Sequence, residues 1–152
     1  MRGKESSTFR RLPHVLCIDE GNSDRSQMAE GYLRTLAGEF IETRSAGLRN
    51  QPLSRMTVQV MQEDNVDIRR QSEKLLSREL LLWADIIIVI SGPTETLHAP
   101  IPNSAVEKRW LISPPIDSDD DSATPFRRTR DEVKRRVQQF VNALKLSRLS
   151  TS

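Results

Sequence analysis

Cysteine is almost missing from this chain: its 152 residues hold one, Cys17. A single thiol excludes an internal disulfide, a cysteine-based zinc site and any mechanism that passes electrons between two thiols of the same chain. Histidine is nearly as scarce. His14 and His98 lie far apart with no partner at ligand spacing, so neither is assigned a metal or a proton-transfer role, and no metal or other cofactor is expected. Charge of one sign is not in excess either. Twenty-three basic and 21 acidic side chains leave a formal charge of +2, which gives no bulk attraction to nucleic acid. The longest apolar run, Ile86 to Ile90, is far too short to span a bilayer, and the basic start MRGKESSTFRRLP lacks the apolar stretch of a secretory signal. The expectation is a cytoplasmic protein with no nucleic-acid or membrane partner. Nucleotide-binding glycine patterns, GxxxxGK[ST] and GxGxxG, are also absent.

What is there reads as one domain, with a flexible arm over residues 1–12, a folded body over 13–147 and a short flexible tail over 148–152. His14-Val-Leu-Cys-Ile18 is a short strand, and Asp19 to Arg25 has loop composition. A helix follows from Ser26 to Ala37, with Met28, Leu33 and Leu36 directed to a core. Phe40 to Arg44 reads as a second strand, ended by Ser45-Ala-Gly47. Pro52 is placed at the opening of a helix that buries Val58, Val60 and Met61. Leu75 to Trp83 is a further helix. Ala84 to Ile90 is a β-branched run of the kind found in strands covered on both faces. Ser104 to Trp110 supplies a last strand, and Phe126 to Leu146 a helix with Val133, Val137, Phe140, Val141 and Leu144 at helical spacing. Strands alternating with helices predict an α/β fold, a parallel sheet between two helical layers.

The loop carries the chemistry. A strand entering a glycine-containing turn and then a helix gathers backbone N–H groups where the helix dipole favours negative charge. Glu20, Gly21, Asn22, Ser23, Asp24, Arg25 and Ser26 form that loop, and Arg25 adds a planar fork suited to phosphate-like oxygens. The expected ligand is therefore a phosphate- or sulfate-like anion, with a protein partner as the other candidate. The bland readings carry most of the remaining features. Cys17 reads as a small buried hydrophobe, the Asp117 to Asp121 run as a surface loop, and the arginines of 127–136 as a solvated helix face partly paired with Asp131 and Glu132. Trp83 and Trp110 read as core or site-wall residues.

Val15-Leu16, Gly21-Asn-Ser-Asp-Arg-Ser-Gln-Met-Ala-Glu-Gly-Tyr-Leu33, Ser45-Ala-Gly47, Val60-Met61, Val66-Asp-Ile68, Ser72, Trp83-Ala-Asp85, Trp110 and Phe126-Arg-Arg-Thr-Arg-Asp-Glu132 occur in the order of the landmarks of one family. Over residues 14 to 145 the chain resembles the low-molecular-weight tyrosine phosphatases, and their thioredoxin-coupled arsenate reductase branch in particular. The resemblance implies a three-layer α/β/α fold with a four-stranded parallel sheet and the anion loop after the first strand. It also implies a nucleophilic cysteine six residues before the loop arginine, where this chain has Asp19. A carboxylate is a poorer nucleophile than a thiolate, and when ionised it repels an incoming phosphate. The favoured expectation is a pseudophosphatase in which the Asp19 carboxylate takes the N–H bonds of its own loop, with a lowered pKa. The alternatives are an active phosphatase using Asp19, with Glu20 and Asp24 as the carboxylates that would attend a metal, or one using Cys17. The family's leaving-group acid precedes a proline that survives here as Pro114 without its aspartate, leaving Asp117 as the substitute. The redox cysteines implied for arsenate reductases have no counterpart, so arsenate reduction by the family route is not expected. Asn22, Glu30 and Ser45 resemble the family's potassium site, in which Lys74 stands where an acidic partner is implied.

Overall fold

A computed structural model of the protein describes residues 11–116 and 122–150. Four parallel strands form its centre: β1 (His14–Asp19), β2 (Glu42–Gly47), β3 (Ile86–Ser91) and β4 (Val106–Leu111), in the spatial order β2-β1-β3-β4. The helices are α1 (Arg25–Ala37), α2 (Arg55–Glu63), α3 (Arg78–Trp83) and α4 (Thr124–Ser150). Parallel neighbours need crossovers, and the helices that supply them cover both faces of the sheet.

The period-2 geometry of the central strands divides the core. Val15, Cys17, Ile88 and Ile90 face α1 and α4, joining Met28, Leu33, Val133 and Val137 in one buried cluster. Leu16, Ile18, Ile87 and Val89 face the opposite side with Leu81, Ala84 and Leu97. Each fully buried aliphatic side chain stabilises the fold by about 1.5–3 kcal/mol, so the two central strands anchor everything around them. β4 is an edge strand. Only Trp110 on it is buried, in an edge-to-face contact with Phe140, while Glu107, Lys108 and Arg109 charge the open side.

The described residues contain no helix long and apolar enough to cross a membrane. Several sequence boundaries shift for local reasons. Pro52 precedes its helix rather than opening it: Ser54 is the cap, its hydroxyl accepting from the Thr57 amide, and α2 starts at Arg55. Residues 75–77 are not helical. The Gly47 N–H donates to the Lys74 carbonyl and the Leu76 N–H to the Gly47 carbonyl, which holds this stretch extended beside β2. The helix beyond it begins at Arg78, capped by Ser77. Leu36, expected in the core, is 37% exposed, because the buried stripe of α1 runs through Met28, Ala29, Tyr32, Leu33 and Ala37 and leaves Leu36 at its edge. At the chain ends, Arg11 makes a two-pronged ion pair with Asp85, and α4 continues to Ser150 through the first residues of the expected tail. Residues 1–10 of the expected arm, and the Asp117 to Asp121 run with the acid assigned to Asp117, lie outside the described residues.

Candidate active-site loop

The carboxyl end of β1 delivers Asp19 to the base of the loop, and the chain turns from there into α1. Asn22 takes the left-handed conformation (φ 55°), which a short amide side chain tolerates. The turn presses on the end of β2. A Cβ on Gly47 would meet the Asn22 nitrogen and the Gly21 carbonyl carbon at 2.6 Å, so only glycine lets the two backbones approach. The 48–54 segment then ties the loop down: the N–H groups of Leu48, Arg49, Gln51 and Ser54 donate to the carbonyls of Asp19, Glu20, Gly21 and Ser23.

Asp19 is 2% exposed. Its Oδ1 accepts the Asn22 N–H at 2.6 Å and its Oδ2 the Ser26 N–H at 2.9 Å, so the carboxylate of the loop takes amides of the loop. The expectation that these bonds lower its pKa is corrected. Burial disfavours the ionised form and pushes the Asp19 carboxyl above its ordinary value, outweighing the Ser26 amide, the Arg25 charge and the Asn22 amide that pull it down.

Arg25 does not stand open above the loop. Its Nη1 and Nη2 reach Glu95 Oε1 and Oε2 at 2.5 and 2.9 Å, and Nη1 also donates to the Ile112 carbonyl at 2.9 Å. The guanidinium is 4% exposed, and Nε, also buried, has no hydrogen-bond partner among the described residues. Glu95 is fixed in turn by the Gly92 N–H, at 2.5 Å from Oε1. The Arg25 fork, with the Gly92 amide, holds the Glu95 carboxyl below its usual range. Sequence reasoning missed Glu95. The available signal was positional: ligand crevices of parallel sheets lie beyond the carboxyl ends of the strands, and the loop after β3, a neighbour of β1, begins Gly92-Pro93.

The other assigned residues fall into separate groups. Glu20 pairs with Arg49 at 2.8 Å. Asp24 accepts the Thr57 hydroxyl at 2.5 Å and the Ser23 hydroxyl at 3.2 Å. Asp19, Glu20 and Asp24 thus have three different sets of partners, and among the described residues no group of three or more His, Cys, Asp or Glu side chains could hold a metal ion. Cys17 lies inside β1 with no exposed surface, in the cluster under α1 and α4. Burial, then the charges of Glu30 and Asp19, push its thiol well above the ordinary value, so it is not a thiolate at neutral pH. His14 sits at the opposite end of β1, stacked on Trp83.

Asn22, Glu30, Ser45 and Lys74 do come together. The Asn22 amide nitrogen donates to the hydroxyls of Ser26 and Ser45, and its oxygen accepts from the Lys74 N–H and from Gln27, using all four of its hydrogen-bonding positions. Ser45 donates to Glu30 at 2.5 Å, and Arg34 pairs with the other Glu30 oxygen. The Lys74 ammonium lies 3.7 Å from Glu30 and donates to the Ser72 carbonyl.

Relatives share this framework. An arsenate reductase of Halalkalibacterium halodurans is 30% identical over 134 residues, covering 86% of this chain and 95% of that protein. Arsenate reductase 1 of Staphylococcus epidermidis is 27% identical, with 84% and 95% covered. Among solved structures, an arsenate reductase in a phosphate-binding state superimposes with a TM-score of 0.74 at 28% identity, over 87% of this chain and 98% of that one. A tyrosine phosphatase of Erwinia amylovora shares the fold, with a TM-score of 0.69 at 22% identity over 88% and 93%. The profile of the low molecular weight phosphotyrosine protein phosphatases matches residues 14–149. With that match spanning most of the chain, the chain belongs to the low-molecular-weight phosphotyrosine protein phosphatase family.

Proposed function

We propose that this chain is a catalytically degenerate member of its family, a pseudophosphatase whose anion loop is filled from within. One observation carries the reading: two internal carboxylates hold the two halves of an oxyanion site, Asp19 on the Asn22 and Ser26 amides and Glu95 on Arg25. A phosphate dianion would have to displace both. It would also meet their charge, and like charges about 4 Å apart repel by roughly 4 kcal/mol at an effective dielectric near 20.

The chemistry supports the same reading. Attack on phosphorus needs an exposed, electron-rich atom aimed at the substrate. Both Asp19 oxygens accept amide hydrogen bonds and the side chain is buried. Cys17 is buried in the strand and held as a thiol. The relatives named arsenate reductases motivate a second assay. Reduction of arsenate consumes thiol electrons, and the one thiol of this sequence is enclosed in the core, so no turnover is expected there either.

The test is hydrolysis of p-nitrophenyl phosphate by pure protein from acid to alkaline pH, with and without Mg²⁺. Release of nitrophenol at background rate is the expected result. Turnover that disappears in Asp19→Asn would overturn the proposal in favour of an aspartyl nucleophile, and turnover that disappears in Cys17→Ser would do so in favour of the thiol.

A further inference from the structure

A second charged site lies beside the loop network. A cavity of about 490 Å³ opens where the last turn of α1, β2 and the 67–74 segment meet, lined by Arg34, Arg44, Arg70 and Lys74 against the carboxylates of Glu30 and Asp67. The acids are already engaged. Glu30 is held by Arg34 and the Ser45 hydroxyl. Both Asp67 oxygens belong to Arg69, at 2.9 and 2.8 Å. The cations are less fully used. Arg44 lies over the Trp83 ring, 4.4 Å from its centroid, and makes no side-chain hydrogen bond or ion pair among the described residues. Lys74 spends one donor on Ser72 and sits 3.7 Å from Glu30. Arg70 is exposed and makes no side-chain hydrogen bond or ion pair among the described residues.

We infer that this cavity is a binding site for a small condensed phosphate, a ligand with two adjoining phosphate groups. Four cationic residues against two carboxylates favour an anion of more than one charge. The volume exceeds that of one phosphate and lies in the range of small-molecule sites. Cationic residues border the cavity on two sides, Arg44 on the sheet and Arg70 with Lys74 on the crossing segment, one side for each phosphate group. Arginine forks match phosphate oxygens in pairs. The site is separate from Arg25, which is buried on Glu95. The two are connected, because the Lys74 N–H donates to Asn22 of the loop.

The experiment titrates inorganic pyrophosphate into the full chain at low ionic strength, by calorimetry and by amide NMR. Binding is expected with amide shifts centred on residues 67–74 and 44, and Arg44→Gln with Arg70→Gln should weaken it by about tenfold or more, since hydrogen bonds to charged groups contribute at that level. Both arginines are exposed, and the loss of the Arg44 contact with Trp83 is followed by the melting temperature of the paired variant, which stays folded at the temperature of the titration. Absence of binding, binding unchanged in the paired variant, or shifts centred on residues 20–26 would each overturn the inference. The NMR map separates this site from the loop without any change to Arg25.

Discussion

Two clusters in this molecule join arginine to glutamate through paired hydrogen bonds in different surroundings, end-on from Nη1 and Nη2 of Arg25 to Glu95 and side-on from Nε and Nη2 of Arg127 to Glu63. Arg25 and Glu95 meet with side chains 4% and 19% exposed. Arg127 and Arg130 meet Glu63 across the α2–α4 contact, with Glu63 34% and Arg127 45% exposed. In the Arg127–Glu63 pair each charge can return to water if its partner leaves, so the pair contributes little and salt screens it, while Arg130, 14% exposed, keeps Asp131 and the Val60 carbonyl as further partners. In the first, the guanidinium is hydrogen-bonded among the described residues to Glu95 and the Ile112 carbonyl, and its buried Nε has no partner there. Similar residues therefore make a surface strap in one place and a sealed site in the other, and burial decides which.

The largest expected effect breaks the sealed pair. Glu95→Ala leaves Arg25 buried without its hydrogen-bonded counter-charge and should destabilise by about 3–5 kcal/mol in urea unfolding. A midpoint unchanged from wild type would mean that the guanidinium finds water and that the site is not sealed. Next comes Asp19, whose pKa is raised rather than lowered. Between the ordinary carboxyl value and the raised folded one, the native state binds more protons than the unfolded state. Stability therefore falls as pH rises through that window, by up to about 1.4 kcal/mol per pH unit for one group. Asp19→Asn should lack that slope, and the difference between the two stability–pH curves is the readout. Glu63 provides the smallest effect and the opposite sign. Arg127 holds its pKa at about 2, below the ordinary value, so its contribution is present above that ordinary value and lost as pH falls toward 2. Glu63→Gln at neutral pH should leave the melting temperature nearly unchanged, and less changed still in high salt. A large shift would show that the strap is more than a screened surface pair.

The same contrast explains what could be read from the chain. The central strands were legible because Val15 to Ile18 and Ile86 to Ile90 are apolar runs that only a doubly covered sheet accommodates. The loop was legible because its residues are contiguous, and Asp19 was expected to take the loop amides because the family resemblance puts it at the nucleophile position, six residues before Arg25. Glu95 was not, since it meets Arg25 across 70 positions of sequence and no local pattern marks the pair. The direction of the Asp19 shift was misread for a related reason. Hydrogen bonds within a short loop can be foreseen from its residues, but the desolvation that outweighs them comes from the layers packed above and below. Helix starts at Arg55 and Arg78 were blurred because Pro52 and Leu75 satisfy helix patterns while their backbones are used elsewhere. The Asn22–Ser45–Glu30 group was assembled from family likeness, whereas Arg34, which closes on Glu30 from one turn away, follows from α-helical spacing alone.

The most direct measurement is a crystal structure of the full chain grown from concentrated sulfate. The account predicts the Asp19 carboxylate on the Asn22 and Ser26 amides and Arg25 clasped by Glu95, with sulfate excluded from between them. A sulfate ion bridging Arg25 and the loop amides, with Glu95 swung away, would contradict it.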